Sequence, residues 1–583
     1  MGQTHYLATT GISEIWDLES DKILFLGPWC LVDEKNKQLL GYHDFSVVTS
    51  PWRPASSIKG AADYCHDLYE RILADLADSL NGIHRISLPL KSWQVLLGFW
   101  LLHYVGILYD RYVRIENVVR LSPDFYTHTL AQDDCGLESL STYDFFSNKV
   151  DNDFYNLKLF SVIIKALVPE KGIAIEYQGK MRTGDSGCSW KRRVFYGCLN
   201  AFDGFLKNPV VLSDMYQLTP KDILLLKLRG GMRVVSPMDF PSVRQPLTPQ
   251  DVSLRDGIRI DCGKGRFEQL LARVIPRALP ICYVENFDFN RESVSGMRLR
   301  KLVASSVGWY FNERFKFFAA MSGERGAEFL DFQHGGAYGT SLSVPHEQLS
   351  LSCDTYYTWG WDTKEFPNAK PFPNARLSKL IDSHKLADDK LLIVGMSTLR
   401  YVYMLQCNLQ PDDMDGYHRD MVRFIEGLSE RIKSRVLYRP YRDYGWGETR
   451  IVRSICPGAR MIGEGNLCDW MQKVKVVFID HPHTSFLEAL IINVPCVLYW
   501  DSRIFAMRPE ARDYFDKLRR AGILFDSPVD ASRKVNEVYD DALLWWKSSE
   551  IQDARRVFCN RFAYARRDWM KVWIDEFGRL GRR

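Results

Sequence analysis

Short apolar runs recur along the whole chain, each separated from the next by a stretch with helical spacing. A first series comprises KILFL (Lys22–Leu26), Gly172–Tyr177, Pro280–Val284 and Glu328–Phe332. A second comprises KLLIV (Lys390–Val394), Arg435–Tyr438, VKVVFI (Val474–Ile479), CVLY (Cys496–Tyr499) and Gly522–Phe525. Short apolar runs alternating with helices read as α/β layers around a mostly parallel sheet. With 583 residues the chain is too long for one core. The two series are divided by Phe366–Asn374 (FPNAKPFPN), whose three prolines and two asparagines mark a linker. The expected division is therefore 1–365, an α/β domain with helical insertions, and 375–550, a Rossmann-like domain. A terminal segment, 551–583, has apolar residues at helical spacing and is expected to pack back on the first domain.

Bulk properties exclude several classes. The 76 basic residues are nearly balanced by 72 acidic ones, so the net charge of +4 gives no reason to expect a nucleic-acid partner. Thirteen cysteines are scattered without a CxxC pair, which reads as reduced intracellular thiols. The start, Met1–His5, lacks the basic and apolar regions of a signal peptide. The apolar run Val95–Tyr109 is short for a bilayer span and contains His103, so a buried core helix is expected. A cytoplasmic protein follows, with contact at a membrane face left open.

In open α/β sheets ligands bind beyond the carboxyl ends of the strands, so the loops there carry the candidate chemistry. In VFIDHPHTSFLEALIINVP (Val477–Pro495) a strand stops at Asp480, and His481-Pro482-His483-Thr484-Ser485 opens a helix. Hydroxyls and free amides at a helix start suit a phosphate, and Glu488, one turn along, would reach a ribose. After Arg435–Tyr438, Arg439 and Arg442 could fork onto phosphate oxygens. After Lys390–Val394 the small turn Gly395–Thr398 places Ser397 and Thr398 beside the ligand. In the first domain His334 precedes Gly335 and Gly336, with Tyr338 nearby, and suits general-base work. Trp29, after the first strand, reads equally as a sugar-stacking ring or as core. Glu285 is a strand-end carboxylate that could act as acid, base or nucleophile. Asp151 and Asp153 form an Asp-x-Asp pair remote from any nucleotide loop, so no metal or cofactor is expected.

These motifs resemble a family of transferases encoded in bacterial O-antigen and surface-polysaccharide loci. The carriers are LATTGISEIW (Leu7–Trp16), FLGPWC (Phe25–Cys30), the helix ending at Tyr112, FQHGGAYG (Phe332–Gly339), DTYYTWGW (Asp354–Trp361), YRPY (Tyr438–Tyr441) and HTSFLEAL (His483–Leu490). YRPY and HTSFLEAL are also similar to the His-Pro and Ser-Ser/Thr motifs of sialyl- and Kdo-transferases, with Arg439 standing where those have histidine. The HGG turn resembles the His-Gly of CDP-glycerol glycerophosphotransferases. The resemblance implies a GT-B fold of two Rossmann-like domains facing a cleft, with a C-terminal crossover helix. It implies a metal-independent glycosyltransferase using a CMP-linked sugar such as Kdo as cosubstrate. His334 and Glu285 would be catalytic, and Ser397, Thr398, Arg439, Arg442, His483, Thr484, Ser485 and Glu488 would bind the donor. Trp29, Gly335, Gly336 and Tyr338 would face a glycan or lipid-linked glycan acceptor. Peripheral association with the inner membrane, or with other polysaccharide enzymes, is compatible with this. Transfer of polyol or glycerol phosphate, a nucleotide-sugar epimerase and a non-catalytic glycan-binding subunit are the competing readings.

Overall fold

The computed structural model describes residues 5–582 except 42, 133–135, 182–209 and 231–239. The α/β class is what the chain adopts: every ladder between its strands is parallel. The strands form three sheets. The first holds β1 (His5–Ala8), β2 (Ile23–Phe25), β3 (Phe45–Val47), β4 (Phe125–Leu130) and β5 (Gly172–Ile175), in the order β3-β2-β1-β4-β5. The second holds β6 (Val210–Ser213), β7 (Leu302–Ser305), β8 (Glu328–Phe332), β9 (Thr355–Thr358) and β10 (Ala369–Pro371), laid side by side in chain order. The third holds β11 (Asp388–Val394), β12 (Val436–Arg439), β13 (Arg460–Met461), β14 (Val474–Ile479), β15 (Cys496–Tyr499) and β16 (Leu524–Phe525). Its order, β13-β12-β11-β14-β15-β16, is the doubly wound dinucleotide-binding order, with the direction of growth reversing between β11 and β14.

The third sheet shows why its central strands end in apolar runs. Alternate residues point to opposite faces, and both faces are covered. Leu391, Ile393, Val476, Phe478 and Val497 enter one core, where Phe424 of the helix Met414–Glu426 stacks on Phe478 with centroids 3.5 Å apart. Leu392, Val394, Val477, Ile479 and Leu498 enter the other core, with the helix Thr484–Ile492. That helix is apolar apart from its first two residues and Glu488, and it is buried from Ser485 to Ile492, as a helix enclosed by protein is.

Two expected elements differ. Pro280–Val284 contains a 3-10 turn, Ile281–Tyr283, and no strand. Phe366–Asn374 contains β10, the edge strand of the second sheet, where Pro371 is tolerated because an edge need not donate on both sides. The apolar run around His103 belongs to a helix of 32 residues, Leu90–Leu121. By length and hydropathy it could cross a bilayer, yet 83% of its most apolar window is buried in the protein. It packs against the helices Ala55–His84 and Glu313–Glu324, and its second half carries buried Asp110, Arg111 and Arg114. After the helix Ser549–Phe562 on the third sheet's core, Trp569–Leu580 packs on the second sheet. There Trp573 stacks on Phe332 of β8 at 5.1 Å.

Candidate functional site

The reversal point of the third sheet is occupied by a built network. Tyr417 donates its hydroxyl to Asp480 Oδ2 at 2.7 Å and accepts the amide of Met396 at 2.7 Å, tying the loop after β14 to the loop after β11. The other oxygen, Asp480 Oδ1, meets His481 Nδ1 at 2.9 Å, and His481 Nε2 meets Ser485 Oγ at 2.8 Å. Asp480, His481 and Ser485 are all buried. This Asp–His–Ser chain fixes the imidazole and aligns the serine hydroxyl at the helix start.

The second sheet meets this helix start directly. Gly336 donates its amide to Thr484 Oγ1 at 3.2 Å. A Cβ at Gly336 would lie 2.7 Å from the carbonyl carbon of His483 and 2.7 Å from the amide of Thr484, so only glycine permits the approach. The turn is held from behind by buried Gln333. Its Nε2 donates to the Gly335 carbonyl, and its Oε1 accepts from the Trp359 amide and the Trp361 indole. His334 lies between the hydroxyls of Tyr310 (3.4 Å) and Tyr338 (3.3 Å). Burial pushes its imidazole down to about 4, so it is neutral at neutral pH with a lone pair to offer. His483 heads the helix without a side-chain cap and pairs Nε2 with Asn408 Oδ1 at 2.9 Å. Burial, reinforced by His481, pushes it down to about 3. The crevice between the two turns, lined by Ala337, Thr340, Asn408, His483 and Phe505, holds only about 10 Å³.

Larger spaces flank this junction. A cavity of about 310 Å³ lies beyond β11 and β12, lined among others by Ser397, Pro440, Tyr441, Glu448 and Arg450. A cleft of about 300 Å³ lies beside the second sheet, lined by Lys59, His66, Gly339, Trp361, Arg508 and others.

Several expected site residues sit elsewhere. Trp29 is core: it is 1% exposed, its indole donates to the Thr9 carbonyl, and Arg114 covers one face of the ring. Glu285 forms a buried fork with Arg255, at 2.6 and 2.7 Å, and also accepts the Asp251 amide, which leaves no oxygen for a substrate. Arg439 spends its guanidinium on the carbonyls of Ile462, Glu464 and Gly465, bracing that turn. Glu488 pairs with Arg376 at 2.5 Å, and Arg376 also binds the Tyr216 hydroxyl. Burial raises the Glu488 carboxyl while Arg376 opposes the shift. Arg442 is exposed, with its guanidinium 5.5 Å from the ring of Tyr444. Ser397 and Thr398 are buried, and the Thr398 carbonyl accepts the Trp446 indole. Asp151 and Asp153 both bind Arg400, fastening the loop after β11 to the first sheet. Among the described residues no group of His, Cys, Asp or Glu is arranged to hold a metal ion.

Sequence reasoning missed the Asp480–His481 pair, although two histidines beside a strand-end aspartate were a visible signal.

Among curated proteins, none matches the chain in sequence. Among solved structures it is similar to a mutant O-GlcNAc transferase of Thermobaculum terrenum, at 12% identity over 91% of this chain and 98% of that one, TM-score 0.31. It is also similar to MurG of Acinetobacter baumannii, at 9% identity over 64% and 99%, TM-score 0.34. A third likeness is to UGT89C1 of Arabidopsis thaliana complexed with UDP, at 13% identity over 64% and 100%, TM-score 0.32. The family model that covers residues 5–577 is that of the LIC12162 family transferase, and the chain belongs to this family of transferases.

Proposed function

We propose that this transferase is a glycosyltransferase that moves a sugar from a nucleotide donor to a surface-polysaccharide acceptor. The observation that carries the reading is the junction of the Gly335-Gly336 turn with the start of Thr484–Ile492, at the reversal point of a doubly wound sheet. Two turns from separate sheets are joined there, one bearing a neutral imidazole and the other an uncapped helix start. In this proposal the nucleotide lies across the carboxyl edge of β11, β12 and β14. Its phosphate faces the amide end of the helix, where the N-terminal dipole favours negative charge. The Thr484 hydroxyl, which accepts from Gly336, donates its own proton to the phosphate, and that of Ser485 turns from His481 to do the same. The leaving nucleotide's charge is met by fixed dipoles, each of a kind worth about 3 kcal/mol in the transition state.

The acceptor, a glycan or lipid-linked glycan, occupies the cleft lined by Trp361 and Arg508, a route that replaces the one past Trp29. His334 takes the acceptor's proton. A cytidine base, a Kdo-like sugar, independence of metal and a place at the cytoplasmic face of the inner membrane belong to the same proposal and rest on the motif resemblance. The test is a thermal-shift screen with CMP, CDP, UDP and GDP, followed by transfer assays. The expected result is stabilisation by one nucleotide class, loss of transfer with retained binding in His334→Ala, and weakened binding in the Thr484→Ala, Ser485→Ala double variant. No response to any nucleotide would refute the donor site.

A further inference from the structure

Phe311 is a large apolar ring left 41% exposed at the carboxyl edge of the second sheet. Its place is fixed locally. β7 ends at Ser305, whose hydroxyl accepts the Gly308 amide at 2.8 Å and holds the single turn Gly308–Phe311. Asn312 then caps the helix Glu313–Glu324 by accepting the Phe315 amide. Phe311 is thereby set at the corner between the two helices. The ring is not isolated. It meets Phe99 at 5.3 Å, Phe146 at 5.7 Å and Tyr143 at 6.1 Å, each edge to face. Tyr143 and Phe146 lie between β4 and β5 of the first sheet and are themselves partly exposed. A single exposed ring needs no explanation, but a contiguous aromatic surface at the junction of two sheets does.

This surface borders His334. Tyr310 lies 6.3 Å from Phe311 and 5.2 Å from His334, ring centre to ring centre. His346 gives a second link, 5.0 Å from Phe99 and 6.1 Å from His334. The Gly335-Gly336 turn meets the third sheet's helix start at Thr484, whereas the aromatic surface is shared with the first sheet. His334 therefore has the proposed donor site at one neighbour and this surface at the other. The rings around Phe311 carry no charge. Burial, reinforced by His103 and His334, holds the His346 imidazole well below its ordinary range, so it is neutral at neutral pH. Such a surface favours a ligand with an apolar C–H face and no charge of its own. An anionic group would lose hydration against these rings without a cation to meet it. A neutral pyranose has the required face, with hydroxyls at its edge.

We infer that Phe311 is the platform on which the reacting sugar of the acceptor stacks, and that this sugar is a neutral pyranose presenting a hydroxyl to His334. The assignment rests on the glycosyl-transfer reading above. It gives the reacting sugar its place and leaves the rest of the glycan to the cleft at Trp361 and Arg508. Saturation-transfer NMR on the full chain tests it, with the methyl glycosides of glucose, galactose, mannose and rhamnose and, as the charged counterpart, of glucuronic acid. At least one neutral glycoside is expected to receive saturation at its ring C–H protons, with the glucuronide binding more weakly than that glycoside. Phe311→Ala should weaken the bound glycoside roughly 2- to 10-fold, and Phe311→Trp should retain it. Nucleotide affinity and the thermal melt should be unchanged in both variants, which separates lost stacking from lost fold. In transfer assays Phe311→Ala should raise the acceptor KM by the same factor with kcat preserved, the signature of lost ground-state binding. The platform is overturned if no neutral glycoside binds, or if one binds the parent and Phe311→Ala alike. A glucuronide that binds as well as the neutral sugars overturns the choice of an uncharged acceptor. Nucleotide binding without glycoside binding removes this inference and leaves the donor site standing. Glycoside binding at Phe311 without response to any nucleotide refutes the donor reading and leaves the sugar platform.

Discussion

The contact between the Gly335-Gly336 turn and the helix at Thr484 can be broken with one methyl group. In Gly336→Ala the new Cβ would sit 2.7 Å from two backbone atoms and 2.9 Å from Thr484 Cα. Backbone cannot rotate away as a flexible side chain can, so the turn and the helix must separate. Overpacking of this kind costs about 1–3 kcal/mol. Loss of the hydrogen bond from the Gly336 amide to Thr484 Oγ1 adds about 1 kcal/mol. The expected destabilisation is therefore about 2–4 kcal/mol. Gly60 is the control: it is exposed within the helix Ala55–His84, and a Cβ there meets nothing within 4 Å. Gly60→Ala is expected to stabilise the chain by about 1 kcal/mol through helix propensity alone. Urea denaturation of the two variants and the parent gives the comparison, and transfer assays give the functional side. If Gly336→Ala matches the parent in both stability and transfer, the two turns do not meet as described and the site built on their contact is wrong.

Three further outcomes are expected. His103 is 2% exposed and burial pushes its imidazole down to about 4. The unfolded chain therefore takes up a proton near pH 6.5 that the folded chain refuses until about pH 4, and stability falls as pH drops through that window. His103→Phe should remove about 3 kcal/mol of this acid sensitivity, read as a flatter dependence of the denaturation midpoint on pH. Arg376→Ala strands the buried Glu488 carboxylate and should cost about 3 kcal/mol by chemical denaturation. Nucleotide affinity should stay unchanged, because Glu488 is a structural partner in this fold. Trp29→Ala should cost about 3–5 kcal/mol with no change in acceptor KM, since the indole is packed in the core.

The third sheet was legible because its longer strands are buried on both faces toward their carboxyl ends, which writes the apolar runs LLIV, VVFI and CVLY into β11, β14 and β15. Much of the first and second sheets was not. HYLA, LVAS and TYYT are short and mix small or polar residues with apolar ones, so β1, β7 and β9 carry no such run. The apolar ICYV invited a strand reading, but its side chains are buried by helices such as Glu313–Glu324, through Phe317 beside Tyr283. The errors among the charged residues share one cause. Glu285, Arg439 and Glu488 each stand where a ligand contact is plausible locally, and each is consumed by partners 23 to 112 residues away, a distance over which a single sequence carries no pairing signal. The contact of Gly336 with Thr484, 148 residues apart, is no more legible from a single sequence; only the local character of each turn, a glycine that yields space and a helix start with free amides, is.

The loop after β11 explains how the first sheet takes part in a site built by the other two. It runs from Gly395 to Gln410 without regular structure and is fastened at both ends. At its start Arg400 binds Asp151 and Asp153, and Tyr401 donates to Asp153 at 2.6 Å beneath the ring of Trp29. Just past its end Asp412 accepts Arg114 at 2.6 Å, and Arg114 also binds the buried Asp110. Asn408, which holds His483, lies between these anchors. Removing one partner of a buried pair costs several kcal/mol, because the other charge is left uncompensated. The loop is therefore expensive to shift at its ends and is carried by the first sheet as a rigid part. The glycine turn is tied to the same loop as well: beyond the hydrogen bond from the Gly336 amide to Thr484, Ser341 and Ser343 donate their hydroxyls to the carbonyls of Cys407 and Leu405. The crevice at His483 is therefore bounded by two segments that are fastened to each other as well as to their own sheets, so a change at either is transmitted to the other.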